Sequence, residues 1–211
     1  MRRMPRPAGL RERKKERTRQ AISDAAITLF LASGFDAVSV TDVAVAAEVS
    51  RPTLFKYFPT KEDLVVHRFA DQEDEAARIV RARAADESPL DALERHFVAS
   101  LNASDPVSGL SEEPDVQALY QMVLDTPALA ARLLAYTFRG EEALARALHE
   151  TGAAADELTA RTVAGQLIAV QRVLATENTR AIGEGRSTAD LLPEAVAAAG
   201  RAFGLLRRGL G

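Results

Sequence analysis

Along this chain of 211 residues, apolar positions recur at the three-to-four-residue spacing of helices, and no stretch shows the alternation of a strand. Ile22, Ala26, Leu29 and Phe30 fall on one face, and Gly34 follows Ser33 as a stop, so a first helix is expected over roughly 11–33. Val40, Val43, Ala44 and Ala47 repeat the pattern over only eight residues, with Ser39 as cap and Asp42 three residues on. Ser50 before Arg51-Pro52 opens another short helix, which Pro59 stops after Phe58. Thr60 with Asp63 marks a further start, from which a long helix is expected to run into the 80s. Ser88-Pro89 opens a helix to about Leu101, and Asn102 to Pro114 reads as a loop. Helices are then expected near 115–124, 127–150, 156–182 and 188–208, with glycines at several of their ends. The fold class is all-α. No internal repeat interrupts the pattern.

The two short helices around Glu48-Val49-Ser50 have the layout of a helix-turn-helix, in which one helix braces a second that can enter a major groove. Val43, Ala44, Ala47, Val49, Leu54 and Phe58 form the apolar set that fixes the angle between them. Arg51, Pro52, Thr53, Lys56 and Tyr57 fall on the other side and are the candidate DNA contacts. Lys56 suits a base edge or a phosphate, Thr53 a phosphate or a thymine methyl, and Tyr57 a phosphate oxygen. Ser39 and Lys61 stand at helix starts, where the positive helix end favours a phosphate, although Ser39 serves equally well as a plain cap.

Charge sharpens this reading. The whole chain carries 27 basic and 30 acidic residues, a formal charge of -3, which taken alone argues against a nucleic-acid partner. Residues 1–70, however, hold 13 basic against 8 acidic residues, and residues 71–211 hold 14 against 22, a split of +5 and -8. Within the first twenty residues nine Arg or Lys face only Glu12 and Glu16. That arm fits either a solvated tail or a grip on a groove or backbone.

The stretch GFDAVSVTDVAVAAEVSRPTLFKYFPTKEDLV closely resembles the DNA-binding domain of the TetR family of bacterial transcriptional regulators, over roughly residues 17–66. The matching motifs are the capped Ser39, Val43-Ala44, Val49-Ser50, Thr53-Leu54-Phe55, Tyr57-Phe58 and Lys61-Glu62-Asp63-Leu64. The resemblance implies a homodimer of about nine helices, a variable C-terminal ligand pocket and ligand-driven release of a palindromic operator. Two positions depart from the family. Glu48 stands where members usually carry Gly, so a left-handed turn there is less comfortable. Phe55 stands where they usually carry Tyr, so the hydroxyl that meets phosphate is gone and Phe55 is left to pack.

On this reading residues 1–58 are the DNA-binding domain and 59–211 a regulatory and dimerisation domain. Leu192, Ala195, Val196, Ala199 and Phe203 give the last helix an apolar face that suits either a dimer interface or the protomer's own core. Candidate pocket residues are Tyr120, Tyr136, Phe138, Gln166, Val170 and Gln171, each of which also suits ordinary packing or an interhelical hydrogen bond. The stretch DTPALAARLLAYTFRGEEALARAL is similar to C-terminal domains of actinobacterial family members that bind acyl-CoA or other hydrophobic molecules, so a hydrophobic effector is expected. Arg132, Arg139 and Arg172 suit an anionic group or ion pairs.

Other function classes find little support. The chain has no cysteine, which removes thiol chemistry and disulfides, and its three histidines are scattered, so neither a metal site nor a cofactor is expected. A helical enzyme would need a convergent nucleophile, base or glycine-rich phosphate loop, and a constitutive DNA-binding protein would leave the C-terminal helices without a task. The basic N-terminus has no apolar stretch behind it, and the apolar runs are too short to span a membrane, so a cytoplasmic protein is expected.

Overall fold

A computed structural model describes residues 10–209. Its elements are α1 (Leu10–Ser33), α2 (Val40–Ala46), α3 (Arg51–Tyr57), α4 (Asp63–Val66), α5 (Glu75–Ala82), α6 (Pro89–Asn102), α7 (Pro114–Asp125), α8 (Pro127–Glu150), α9 (Glu157–Gly183) and α10 (Thr188–Arg208). Short 3-10 segments span His67–Gln72 and Pro106–Ser108. Ten α-helices and no strand thus stand among the described residues, one helix more than expected.

The extra helix arises because the expected long helix after Thr60 breaks into α4, the 3-10 segment and α5. The cause is tertiary. At the break the backbone of Glu73 lies against α8 at Gly140, where an added Cβ would stand 2.9 Å from the Glu73 carbonyl oxygen. Arg139 Nε, one residue earlier on α8, donates to Glu73 Oε1 at 2.9 Å and holds the approach. A straight helix would carry Glu73 away from this bond.

Two apolar cores divide the chain. The first joins Ile22, Phe30, Val43, Leu54, Phe58 and Leu64 across α1 to α4, and it also takes Leu119, Val123 and Leu129 from α7 and α8. The second joins α5, α6, α8, α9 and α10 around Val80, Phe97, Leu144, Leu148 and Phe203. The pair of Asp63 and Arg132 ties α4 to α8 beside the first core. Asp63, only 3 % exposed, accepts from the Thr60 hydroxyl at 2.9 Å, while Arg132 Nε and Nη2 both reach its Oδ1 at 2.7 Å. A buried carboxylate needs such compensation to remain charged.

The apolar stripe of the last helix packs largely inside the protomer. Ala195, Ala199 and Phe203 are buried inside the protomer, and the Phe203 ring stands 6.3 Å from that of Phe97 on α6. Leu192 and Val196 are partly buried against the same core. With Leu191 these positions form the inward stripe of α10, so the helix turns other residues outward: Ala197, Gly200 and Leu205 are exposed, as are Leu158 and Val173 on α9.

Candidate nucleic-acid interface

The helix-turn-helix is assembled from local hydrogen bonds. At the start of α2 the Asp42 N–H donates to Ser39 Oγ at 3.2 Å, and the Ser39 N–H and hydroxyl donate to Asp42 Oδ2 at 2.8 and 2.7 Å. These bonds satisfy the charged carboxylate and hold the Asp42 pKa below its ordinary value, the Ser39 side chain contributing most. Ser39 is therefore fully engaged as a cap.

The turn closes α2 with the two bonds of a Schellman motif: the Glu48 N–H donates to the Val45 carbonyl at 3.1 Å and the Val49 N–H to that of Ala44 at 2.9 Å. This closure requires the left-handed region at Glu48, whose φ is 53°. The strain foreseen from a side chain in place of glycine is present. Ser50 then caps α3, its Oγ accepting from the Thr53 N–H at 3.2 Å and lying 2.8 Å from Thr53 Oγ1, with Pro52 in the first turn.

Burial divides α3 into two faces. Leu54 and Phe58 point into the first core and are almost fully buried. At 100° per residue, Pro52 and Lys56 stand on the opposite side and Phe55 on the flank, 100° round from Leu54. Arg51, Pro52 and Lys56 are exposed, Thr53 is half-buried with its hydroxyl beside Ser50, and Tyr57 is half-buried against the core. Lys61 lies off the helix, with Nζ 4.4 Å from the centroid of the Phe35 ring and 5.6 Å from that of Phe30, so a cation–π contact holds its ammonium in place. The residues before position 10, which carry part of the basic arm, lie outside the described residues.

One residue departs from the sequence reading. Phe55 is not part of the buried core: it is 41 % exposed, on the flank of α3 between the buried side and Pro52. Its phase relative to Leu54 and Phe58 was available in the sequence as the signal for this.

A cavity of about 200 Å³ lies between α5, α6, α8 and α9, with Phe97, Leu133, Tyr136, Ile168 and Gln171 among its walls. Of the six candidate pocket residues, Tyr136 and Gln171 line it. Phe138, two residues beyond Tyr136, is turned away around α8 and is 56 % exposed. Gln166 faces out of α9, and Val170 packs against the core. Tyr120 lines a separate groove between α1 and α7, where its hydroxyl donates to the Pro106 carbonyl at 3.1 Å and burial pushes its pKa up to about 12.

Tyr136 sits among charges. Arg139 stands 4.0 Å from its ring centroid and Arg132 5.9 Å, and its pKa is raised by burial and by Asp63, against the pull of the arginines. Of the three arginines singled out in the sequence, Arg132 and Arg139 are thus committed to Asp63 and Glu73, whereas Arg172 lines the cavity with no salt bridge among the described residues. No group of His, Cys, Asp or Glu among the described residues is arranged to hold a metal ion, and no described helix is long and apolar enough to cross a membrane.

Comparison with known proteins places this geometry in context. Residues 22–67 match the family model described as bacterial regulatory proteins, tetR family. Over 177 residues the chain is 31 % identical to the HTH-type transcriptional regulator TcmR of Streptomyces glaucescens, covering 82 % of this chain and 78 % of TcmR. Among solved structures, NalD of Pseudomonas aeruginosa, the secondary repressor of the MexAB-OprM multidrug efflux pump, has 18 % identity and a TM-score of 0.55, covering 90 % of this chain and 97 % of its own. A SmeT–triclosan complex has 17 % identity and a TM-score of 0.55, covering 89 % and 88 %. At such identities these two structures speak for the fold.

Proposed function

Because the chain belongs to the TetR family of bacterial transcriptional regulators, a family of DNA-binding proteins and not of enzymes, we propose that it is a cytoplasmic repressor that binds a palindromic operator as a homodimer and is released by a small hydrophobic effector. The observation that carries this reading is the division of α3: its apolar side is consumed by the core, while Arg51, Pro52 and Lys56 stand outward on a helix with no acidic residue. In this reading Arg51 and Lys56 meet base edges or phosphates, and Thr53, Tyr57 and Lys61 line the flanking backbone, while Ser39 serves as the cap of α2. Helix-turn-helix dimers present two recognition helices to half-sites about 34 Å apart, one turn of B-DNA, and the proposed homodimer would do the same.

For dimerisation the exposed faces of α9 and α10 replace the buried stripe, since Ala197 and Gly200 allow close approach and Leu158, Val173 and Leu205 supply apolar area. For the effector, the cavity beside Tyr136 and Gln171 is apolar over most of its wall, and the triclosan bound to SmeT supports a small molecule as ligand. Release then follows from differential affinity: a ligand that prefers the dimer with wrongly spaced recognition helices shifts the population away from DNA. A gel shift on the DNA upstream of its own gene, run at several salt concentrations, tests the core of this proposal. A sequence-specific complex that weakens as salt rises is expected, and binding indifferent to sequence would overturn the regulator reading.

A further inference from the structure

One face of α9 lines the cavity beside Tyr136, and its chemistry differs from the rest of the wall. Ile168, Gln171, Arg172 and Ala175 stand at i, i+3, i+4 and i+7, the spacing that stacks side chains on one side of a helix, and all four border the cavity. Apolar residues at all four positions would complete the enclosure begun by Ile79, Phe97 and Leu133. The middle of the stripe carries an amide and a guanidinium instead. Other polar groups around the cavity are already engaged. Glu73 accepts from Arg139 Nε at 2.9 Å, and Glu75 Oε1 lies 3.4 Å from His96 Nε2. The Ser100 and Thr137 hydroxyls donate to the carbonyls of His96 and Leu133, one turn back on their own helices, at 3.2 and 3.3 Å. Gln171 and Arg172 differ: among the described residues neither side chain has a hydrogen bond or an ion pair. Gln171 is half-buried and Arg172 exposed, so both stand toward the rim of an apolar hollow.

We infer that the effector of this cavity is an apolar carboxylic acid, its hydrocarbon body among Phe97, Leu133 and Ile168 and its carboxylate at the rim on Arg172 and Gln171. This rests on the effector reading above and deepens it. A guanidinium only donates and a carboxamide can donate, so the head group that satisfies both must accept. Its positive charge and planar fork favour the paired oxygens of a carboxylate over a hydroxyl, and they repel an ammonium. At the rim the carboxylate keeps part of its hydration, which holds down the cost of desolvating it, while the body leaves water for the apolar wall.

Isothermal titration calorimetry of the full chain with octanoate, 1-octanol and octylamine compares three heads on similar alkyl bodies, at about pH 7.5, where the acid is ionised and the amine protonated. Octanoate should bind about ten-fold more tightly than octylamine, with octanol between them, the scale of one charged hydrogen bond near the surface. Arg172→Gln, at an exposed position without a partner, should melt as the native chain does and leave octanol binding unchanged. It should also bring octanoate and octylamine within about two-fold of each other. Arg161→Gln removes the same charge about three turns away on α9 and should keep the native ratio. Equal affinity for the two ionic probes, a preference that Arg172→Gln retains, or one that Arg161→Gln also abolishes would overturn the carboxylate head and leave the cavity to an uncharged effector. If none of the three probes binds, the effector reading of the cavity falls together with this inference, a result distinct from loss of the head-group preference alone. The gel shift on operator DNA is independent of all these outcomes.

Discussion

Glu48 occupies a backbone conformation that L residues adopt at a cost of about 1 kcal/mol, and it does so because the Schellman closure between α2 and α3 demands it. Replacing it with glycine removes that strain, partly offset by the extra freedom of the unfolded chain. Glu48→Gly should therefore raise stability by no more than about 0.5 kcal/mol in urea denaturation, with the helix-turn-helix geometry unchanged. The departure was legible in the sequence, because the demand comes from the turn's own chemistry. The same holds for the reciprocal bonds of Ser39 and Asp42. It does not hold for Lys61, whose lodging against Phe30 and Phe35 depends on how α1 returns past the start of α4, a relation no local spacing encodes.

Helix ends carry their own signals, which is why the caps at Ser39, Ser50 and Ser88 were readable while the break between α4 and α5 was not. The break answers to Gly140 and Arg139, far away in sequence. A second consequence of long-range packing is the pair of Arg132 and Asp63. Arg132→Met leaves the buried carboxylate with Thr60 alone and should cost about 2 to 3 kcal/mol, between the values for exposed and fully buried pairs. Combining it with Asp63→Asn should cost less than the two single losses added together, as denaturation of all three variants will reveal.

The caps also set the response to acid. Hydrogen bonds from Ser39, Ser88 and Thr159 hold Asp42, Asp91 and Asp156 below the ordinary carboxylate value of 3.8 in the folded chain. A folded value lower than the unfolded one means stabilisation that is present above the unfolded pKa and lost as pH falls through the folded one. Thermal melts should accordingly be flat from about pH 5 upward and fall below about pH 4. Ser39→Ala should melt lower at neutral pH and show a shallower acid loss, and a melting curve independent of pH down to 3 would contradict this account.

At the scale of the whole molecule, the apolar period of α10 foretold a packed stripe but could not say whether that stripe met another chain or its own. Periodicity reports that a face is covered and is silent on the cover. The two faces make opposite predictions. Ala199→Glu places a charge in the core and should unfold the protein, whereas Val173→Glu or Ala197→Glu should leave circular dichroism intact and, on the proposed homodimer, shift sedimentation toward monomer. Charge behaves likewise: the total of -3 conceals a +5 segment that belongs on DNA and a -8 body that phosphate repels.

Leu119, Val123 and Leu129, lent by α7 and α8 to the first core, limit how this reading head can be transplanted. A chimera cut after α3 or α4 would graft onto a foreign sensor a DNA-binding unit with its apolar flank laid bare. Exchange of specificity between such regulators therefore has to carry the docking face of α7 and the start of α8 along with the recognition helix, or rebuild that face on the recipient.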